Sequence, residues 1–339
     1  FDFLGQAKKA IMISVIAMVL GMALFVSQGK SMFGMDFTGG YALDLELKEQ
    51  VEPATSYRTQ AAEALLAHGA SPNDFQIREL NRPNHLRIQL SNSMEEKGHP
   101  FYGLPEKLED DRLQFSYLSN PRINWLINSL QEQGLQVEPS LLNGLDKHWT
   151  VISGQFSDAM RNNAIIGLSI ALISILAYIT FRFEFKYAIA AVIGLIHDVI
   201  ITLGVLALFH WLGFPVQIDL QVVGAIMTII GYSLNDTIIV FDRIREDVRI
   251  LRKMKYSEVI NHALNVTLSR TLMTSGTTLL VLLALVFLGG SSIFAFSLVM
   301  TIGVIVGTLS SLFIAAPALL YFHKREERLE QKELNPRKA

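Results

Sequence analysis

Asp236 is the residue whose surroundings most demand a chemical reason. It lies in Gly231–Glu246 (GYSLNDTIIVFDRIRE), near the end of a long apolar run that closes at Phe241, five residues further on. An ionised side chain at the bilayer centre costs from about +2.5 kcal/mol upward, so it persists where it is paired, wet or used. At about 1.5 Å of rise per residue, Asp236 would sit roughly 8 Å below the point where charges resume. One reading is that the helix ends early and the acid is simply hydrated, but Thr237-Ile238-Ile239-Val240-Phe241 would then be exposed. Arg270 opens the next apolar segment at a comparable depth if the two segments run antiparallel. Alone it reads as an arginine snorkelling at a helix end. With an acid at matching depth it makes an ion pair that protonation can break, the physical form of a proton-coupled switch.

Asn235 adjoins the acid, and Ser233, Thr274, Ser275, Thr277 and Thr278 add groups that can bond across helices or hold water. For any single Ser or Thr, back-bonding to its own helix is the commoner use; their clustering predicts a polar interior to the helix bundle. His197 and Asp198 are adjacent in the middle of a third apolar segment, Gly194-Leu195-Ile196-His197-Asp198. Neighbouring helical residues project about 100° apart, so both cannot face lipid without cost. A lone buried histidine is usually structural, whereas a His-Asp pair near another acid can relay protons. His197, Asp198 and Asp236 could also be metal ligands, but their spacing carries no metal signature, and neither a metal nor a cofactor is expected. Gly224 and Gly231, and the GxxxG of Gly303 and Gly307, mark places where helices can approach closely.

These residues have to be held by membrane-spanning helices. Apolar residues make up 50% of the 339 and charged ones 18%, a membrane composition in which the net charge of −2 hides strong segregation. There is no cysteine, hence no disulfide or thiolate site. Windows of about 20 mostly apolar residues predict six spans at 10–27, 159–181, 187–209, 218–241, 268–288 and 294–322. The first, preceded by Lys8 and Lys9, resembles a signal peptide, but Gln28-Gly29-Lys30 is a poor cleavage site, so it reads as a retained anchor. Cations crowd at Lys8 and Lys9, Arg182 and Lys186, Arg243 to Lys255, and Lys324 to Arg328. By the positive-inside rule these mark the cytoplasmic side. The expected layout has a cytoplasmic N-terminus (1–9), a cytoplasmic link (242–267), a cytoplasmic tail (323–339) and an external domain at 28–158.

The external stretch reads as alternating strand and helix. Tyr41, Leu43, Leu45 and Leu47 alternate with polar residues; Ser56–His68 has helical spacing and stops at Gly69. Phe75–Leu80 and Leu86–Leu90 read as strands joined through Asn81-Arg82-Pro83-Asn84. Asn120-Pro121 starts a helix that ends at Gly134, and Trp149–Ile152 is a last strand. The order β-α-β-β-α-β is that of a ferredoxin-like α+β domain, placed here between the first and second spans.

Taken together, several segments resemble the SecF family, the smaller partner in SecD–SecF protein export and a branch of the RND superfamily. Gly34-Met35-Asp36-Phe37-Thr38-Gly39-Gly40 is similar to the family's GxDFxGG after the first span, so that Asp36, Phe37, Gly39 and Gly40 are motif positions. His197-Asp198 matches its HD, and Gly231–Glu246 its signature almost throughout. Ile260-Asn261, Ser269-Arg270-Thr271, Thr274-Ser275, Phe287–Gly290 and Gly307-Thr308-Leu309-Ser310-Ser311 complete the pattern. The resemblance implies six helices forming an RND-like half bundle in a bacterial cytoplasmic (inner) membrane, as a separate subunit or as the second half of a fused SecD–SecF chain. It implies SecD and the SecYEG channel as partners, SecA indirectly, YajC as an ancillary component, the unfolded exported polypeptide and membrane lipid. It also implies that the proton-motive force drives the work, with Asp236 and Arg270 as the responsive pair. Where the family has a VGP-type turn before the second span, this chain has Ser153-Gly154-Gln155-Phe156-Ser157, and Asn92–Ser119 is inserted between the predicted halves of the domain. Neither a Walker loop nor a nucleophile–base set occurs, so an enzyme is not expected, and nucleic acid is not expected as a partner. An RND-type exporter of lipid or small molecules and a passive structural subunit are the competing readings.

Overall fold

The computed structural model describes residues 1–49, 56–80, 82–105, 108, 117–142, 144–152, 154–182, 184–214 and 216–334. Asn81 of the predicted turn, Ser153 of the altered junction and the tail beyond 334 lie outside the described residues, as does part of the 92–119 insertion. The chain divides into two compact units, one of residues 1–32 with 164–339 and the other of residues 33–163.

In the first unit, long helices dominate: α1 (Phe3–Gln28), α4 (Gly154–Arg182, which begins in the other unit), α5 (Phe185–Trp211), α6 (Leu220–Ile250), α7 (Tyr256–Leu288) and α8 (Ser291–Ser310). A π-helical turn, Ser311–Ala315, joins α8 to α9 (Ala316–Leu334) as one rod. Labels α2 and α3 belong to the second unit below. Among the described residues, six apolar helical segments are long enough to cross a membrane: Phe3–Gln28, Asp158–Phe181, Phe185–Trp211, Leu220–Ile250, Tyr256–Leu288 and Ile293–Leu329. Asp219 starts α6 by accepting from the Val222 N–H at 2.8 Å, satisfying one of the donors a helix start leaves open. The π turn has a local cause. Pro317 has no N–H to return to the carbonyl four residues back, and a π turn is a common way for a helix to absorb such a break.

Helix α6 runs on past Phe241 and α7 starts well before Leu268, so the link between them is a helical hairpin with a short break at 251–255. Charged residues extend helices readily in water, and here they tie the two together. Buried Asp247 takes Arg243 of its own helix at 3.0 Å and His262 of α7 at 3.0 Å. Helix α8 packs on α6 through the GxxxG pair. A Cβ on Gly303 would lie 2.2 Å from Ile229 Cδ1 and 2.8 Å from Cγ2; one on Gly307 would lie 2.9 Å from Ser233 Cβ. Gly303→Ala is therefore expected to destabilise the protein by about 1–3 kcal/mol through overpacking, and Ile229→Ala should relieve much of that cost in the double variant. Gly224→Ala, with no heavy atom within 4 Å of the new carbon, should be close to neutral. Thermal unfolding in detergent checks all three.

The second unit holds a four-stranded antiparallel sheet of β1 (Gly40–Glu46), β2 (Phe75–Glu79), β3 (His85–Ser91) and β4 (Trp149–Ile152), in the order β2-β3-β1-β4. Helices α2 (Tyr57–Ala67) and α3 (Pro121–Glu132) cover it. Alternation decides the faces: Tyr41, Leu43 and Leu45 are buried while Asp44 and Glu46 are half-exposed. The register is matched by charge on the open face, where Asp44 lies opposite Arg87 and Glu46 opposite His85, with contacts of 2.6 and 2.7 Å. Ser56 caps α2 by accepting from Thr59 N–H at 3.2 Å, and Asn120 caps α3 by accepting from Arg122 N–H at 3.0 Å. Tyr41 donates to Glu95 and stacks beneath the Arg122 guanidinium, 4.7 Å from its ring. Burial, together with the Glu95 contact, pushes its phenol up to about 12, so it remains a donor at every physiological pH.

Candidate functional site

Asp236 projects from α6 into the interior of the first unit, 2% exposed, in a helix that continues to Ile250. The alternative that the helix stops early and leaves the acid in water is thereby overturned. The side chain that meets it is Ser275 of α7, whose hydroxyl lies 3.3 Å from Asp236 Oδ2. Behind Ser275 stands Thr308 of α8, at 2.7 Å, whose hydroxyl also lies 2.7 Å from the Val304 carbonyl. Ser275 and Thr308 are both buried, so this is a buried acid supported by a two-hydroxyl chain that crosses three helices.

Asp198, 1% exposed, forms a second cluster one helix away. Its Oδ2 accepts from Ser233 of α6 and from Ser310 of α8, the latter at 2.9 Å, while His197 Nδ1 lies 2.9 Å from its Oδ1. The other ring nitrogen of His197 meets the Ser14 hydroxyl of α1. A hydrogen-bonded line thus runs from α1 through His197 and Asp198 to α6 and α8. Among the described residues the two clusters share backbones without a side-chain bond between them: Ser233 and Asp236 both belong to α6, Thr308 and Ser310 both to α8. Among the described residues, no three His, Asp or Glu side chains are placed to hold one metal ion.

Arg270 and Asn235 are placed differently from Asp236. Both are exposed on the surface of this chain, and among the described residues no ion pair joins Arg270 to Asp236. The guanidinium is still close enough for its charge to act on the acid. Helical phase explains the separation. The inward face of α7 carries Ala263, Leu264, Thr267, Thr271 and Ser275, and Arg270 lies at the edge of that face, about 140° around the helix from Ser275, the side chain that meets Asp236. Phase also divides the predicted polar interior. Ser233 and Ser275 point inward, Thr278 is half-buried against the Tyr232 hydroxyl at 3.3 Å, and Thr274 and Thr277 are exposed.

The GxDFxGG segment has a structural explanation. Met35–Thr38 forms one helical turn with Phe37 buried, Asp36 is half-exposed, and Gly39 has φ +79°, a conformation that favours glycine. A Cβ on Gly40 would lie 2.2 Å from the Leu90 carbonyl oxygen, so the strand could not pair closely with any side chain there. Residues that sequence reasoning did not single out are Ser14, Gly21, Gly204 and His210. Thr308 and Ser310 were visible only as members of the GTLSS segment, whose polar spacing on an apolar helix was the available signal.

Comparison with known proteins adds an independent finding. The family described as "Protein export membrane protein SecD/SecF, C-terminal" matches residues 139–325. Protein translocase subunit SecF of Rhodothermus marinus is 32% identical over 326 residues, covering 96% of this chain and 94% of that protein. SecF of Escherichia coli O157:H7 is 52% identical over 168 residues, 49% of this chain and 50% of that one. The crystal structure of SecDF from Thermus thermophilus, described as a translocon-associated membrane protein, superposes with a TM-score of 0.66 at 29% identity over 96% of this chain. This chain spans 39% of that longer chain.

Proposed function

This chain belongs to the SecD/SecF family of protein-export membrane proteins, and from that premise we propose that it couples proton movement across the bacterial cytoplasmic membrane to Sec-dependent protein export. It is a multi-pass membrane protein whose relatives are named protein translocase subunits. The observation that carries the proposal is Asp236: a carboxyl buried in an apolar helix, touched by a hydroxyl, with its cation off to one side rather than in contact. Such an acid has a charge state that a single proton can change, and Arg270 responds because its attraction to Asp236 vanishes when the acid is neutral. Asn235 extends the polar face toward Arg270, and His197 with Asp198 forms the relay that brings protons to the same level of the bundle.

Several finer features belong to this reading. Both termini face the cytoplasm, and the sheet unit is a ferredoxin-like domain on the outer face, which moves when the helices shift and hands on the emerging polypeptide. SecYEG is the channel it serves, with SecA acting from the other side and YajC as an ancillary component. SecD is the direct partner, for a physical reason: Asn235 on α6 and Arg270 on α7 are exposed, and an amide and a charge on spanning helices need cover from another protein surface rather than from lipid.

The chain has no cysteine, so Asn235→Cys is a unique attachment point. We expect Asn235→Cys to cross-link to SecD in native membranes, while Ile170→Cys, 59% exposed on α4, reacts mainly with lipid-soluble reagent. Cross-linking to lipid alone from both positions would favour an RND-type exporter without a Sec partner.

A further inference from the structure

We infer that Ser275 and Thr308 are the positioning residues that report the charge of Asp236 to α8, by reversing the direction of a three-member hydrogen-bond chain. The inference rests on the reading of Asp236 as the acid that gains and loses the proton. Each hydroxyl owns one proton and can donate once. Thr308 Oγ1 has two acceptors within reach, Ser275 Oγ at 2.7 Å and its own helix's Val304 carbonyl at 2.7 Å. It cannot serve both. When Asp236 is ionised, the carboxylate only accepts, so Ser275 donates to it and Thr308 donates to Ser275. When Asp236 holds a proton, its own O–H donates to Ser275, Ser275 donates to Thr308, and Thr308 turns to Val304. Each arrangement leaves no hydroxyl proton without an acceptor, and each forbids the other.

The proton that arrives stays on Asp236. Ser275 and Thr308 keep their own protons and merely rotate their O–H bonds, so nothing is transferred along the chain and no bond to hydrogen breaks within it. The reversal carries the state of α6 through α7 to a backbone carbonyl of α8, three residues before Gly307, where α8 packs against Ser233. The charged and titratable groups around the chain are Arg270 on α7 and, on α5, His197 and Asp198, the latter bonded to Ser233 and Ser310. Thr308 and Ser310 of α8 and Ser311 of the π turn contribute hydroxyls at this level, each with a backbone carbonyl of α8 in reach.

The two variants shift the balance in opposite directions, which makes the inference testable by sign. Ser275→Ala removes both the donor to the carboxylate and the acceptor of the neutral acid's O–H; the bond to the charged form is the stronger of the two, so its loss favours protonated Asp236. Thr308→Val leaves that donor in place but removes the acceptor Ser275 needs when the acid is protonated, so it favours ionised Asp236. One such bond is worth about 1–1.5 kcal/mol, close to ten-fold in proton affinity or about one pH unit. The measurement is the pH titration of the protonated-carboxyl infrared band of the full chain in proteoliposomes, assigned by its loss in Asp236→Asn. The midpoint is expected about one unit higher in Ser275→Ala, about one unit lower in Thr308→Val and unchanged in Thr308→Ser, which keeps the hydroxyl. Shifts of the same sign, or no shift in either variant while the Asp236 band still titrates, would overturn the inference and leave the role of Asp236 standing. An Asp236 band that never titrates would overturn both.

Discussion

Asp236→Asn is expected to remove the proton-gradient-dependent component of protein export entirely, while the variant still inserts and assembles with its partner. The sizes of the two effects differ for a reason. Asparagine has nearly the shape of aspartate and keeps an oxygen that Ser275 can donate to, so the packing between α6 and α7 survives; a change of about 1 kcal/mol in stability is the scale for such a swap. What it cannot do is alternate between charged and neutral. If Asp236 is the group through which the gradient acts, no residual coupling remains, because Asp198 bonds a separate set of hydroxyls and does not meet Ser275. Inverted membrane vesicles supplied with an export substrate, with and without an imposed gradient, give the measurement. Full stimulation by the variant would leave the chain as a passive subunit. Arg270→Gln should reduce coupling as well, whereas Arg270→Lys should retain part of it, since among the described residues no bidentate contact joins the arginine to Asp236 and a lysine supplies the same charge.

The elements that hold this site were legible in the sequence to very different degrees. The spans followed from composition, because lipid leaves no alternative to an apolar helix. The strands of the sheet unit followed from period-two alternation, as with Tyr41, Leu43 and Leu45, whose partners Asp44 and Glu46 then face Arg87 and His85. The burial of Asp236 followed from the largely apolar run beyond it, Thr237–Phe241. Its true neighbour did not follow. Depth along a helix can be counted from sequence, but which side chain faces inward depends on phase, and Arg270 and Thr271 differ by one residue while one is exposed and the other buried. Thr267, Thr271 and Ser275 recur at every fourth position and are the buried hydroxyls of α7, a repeat that separates Ser275 from Thr274, Thr277 and Thr278 and that the reading of the sequence did not use. The π turn before Pro317 was foreseeable as a break, yet its consequence for which of Ser310 and Ser311 reaches Asp198 required coordinates.

Gly204 should be among the least replaceable positions in the helical unit, although nothing in its sequence context marks it. Helix α1 crosses α5 where Gly21 and Gly204 meet backbone to backbone. A Cβ built on Gly204 would lie 2.8 Å from Gly21 Cα, and one on Gly21 would lie 2.7 Å from Gly204 Cα. A side chain that meets another side chain can change rotamer; one that meets a backbone can be relieved only by moving a helix. Alanine gains about 1 kcal/mol of helix propensity over glycine, so the sign of Gly204→Ala depends on whether overpacking, about 1–3 kcal/mol, exceeds it. Backbone contact puts the cost at the upper end, giving a net loss of about 1–2 kcal/mol, and Gly204→Val should cost more. The same seam carries the proposed relay. Ser14 meets His197 seven residues earlier on each helix, two turns along a parallel crossing, so parting the glycines also pulls Ser14 from the His197 ring. Gly276→Ala, which meets nothing within 4 Å, supplies the comparison and should leave stability unchanged or slightly raised. Thermal unfolding in detergent, with the nitrogen resonances of His197 followed in the same variants, reads both consequences. Unaltered stability together with an unaltered imidazole in Gly204→Val would show that α1 does not lie against α5 at this crossing.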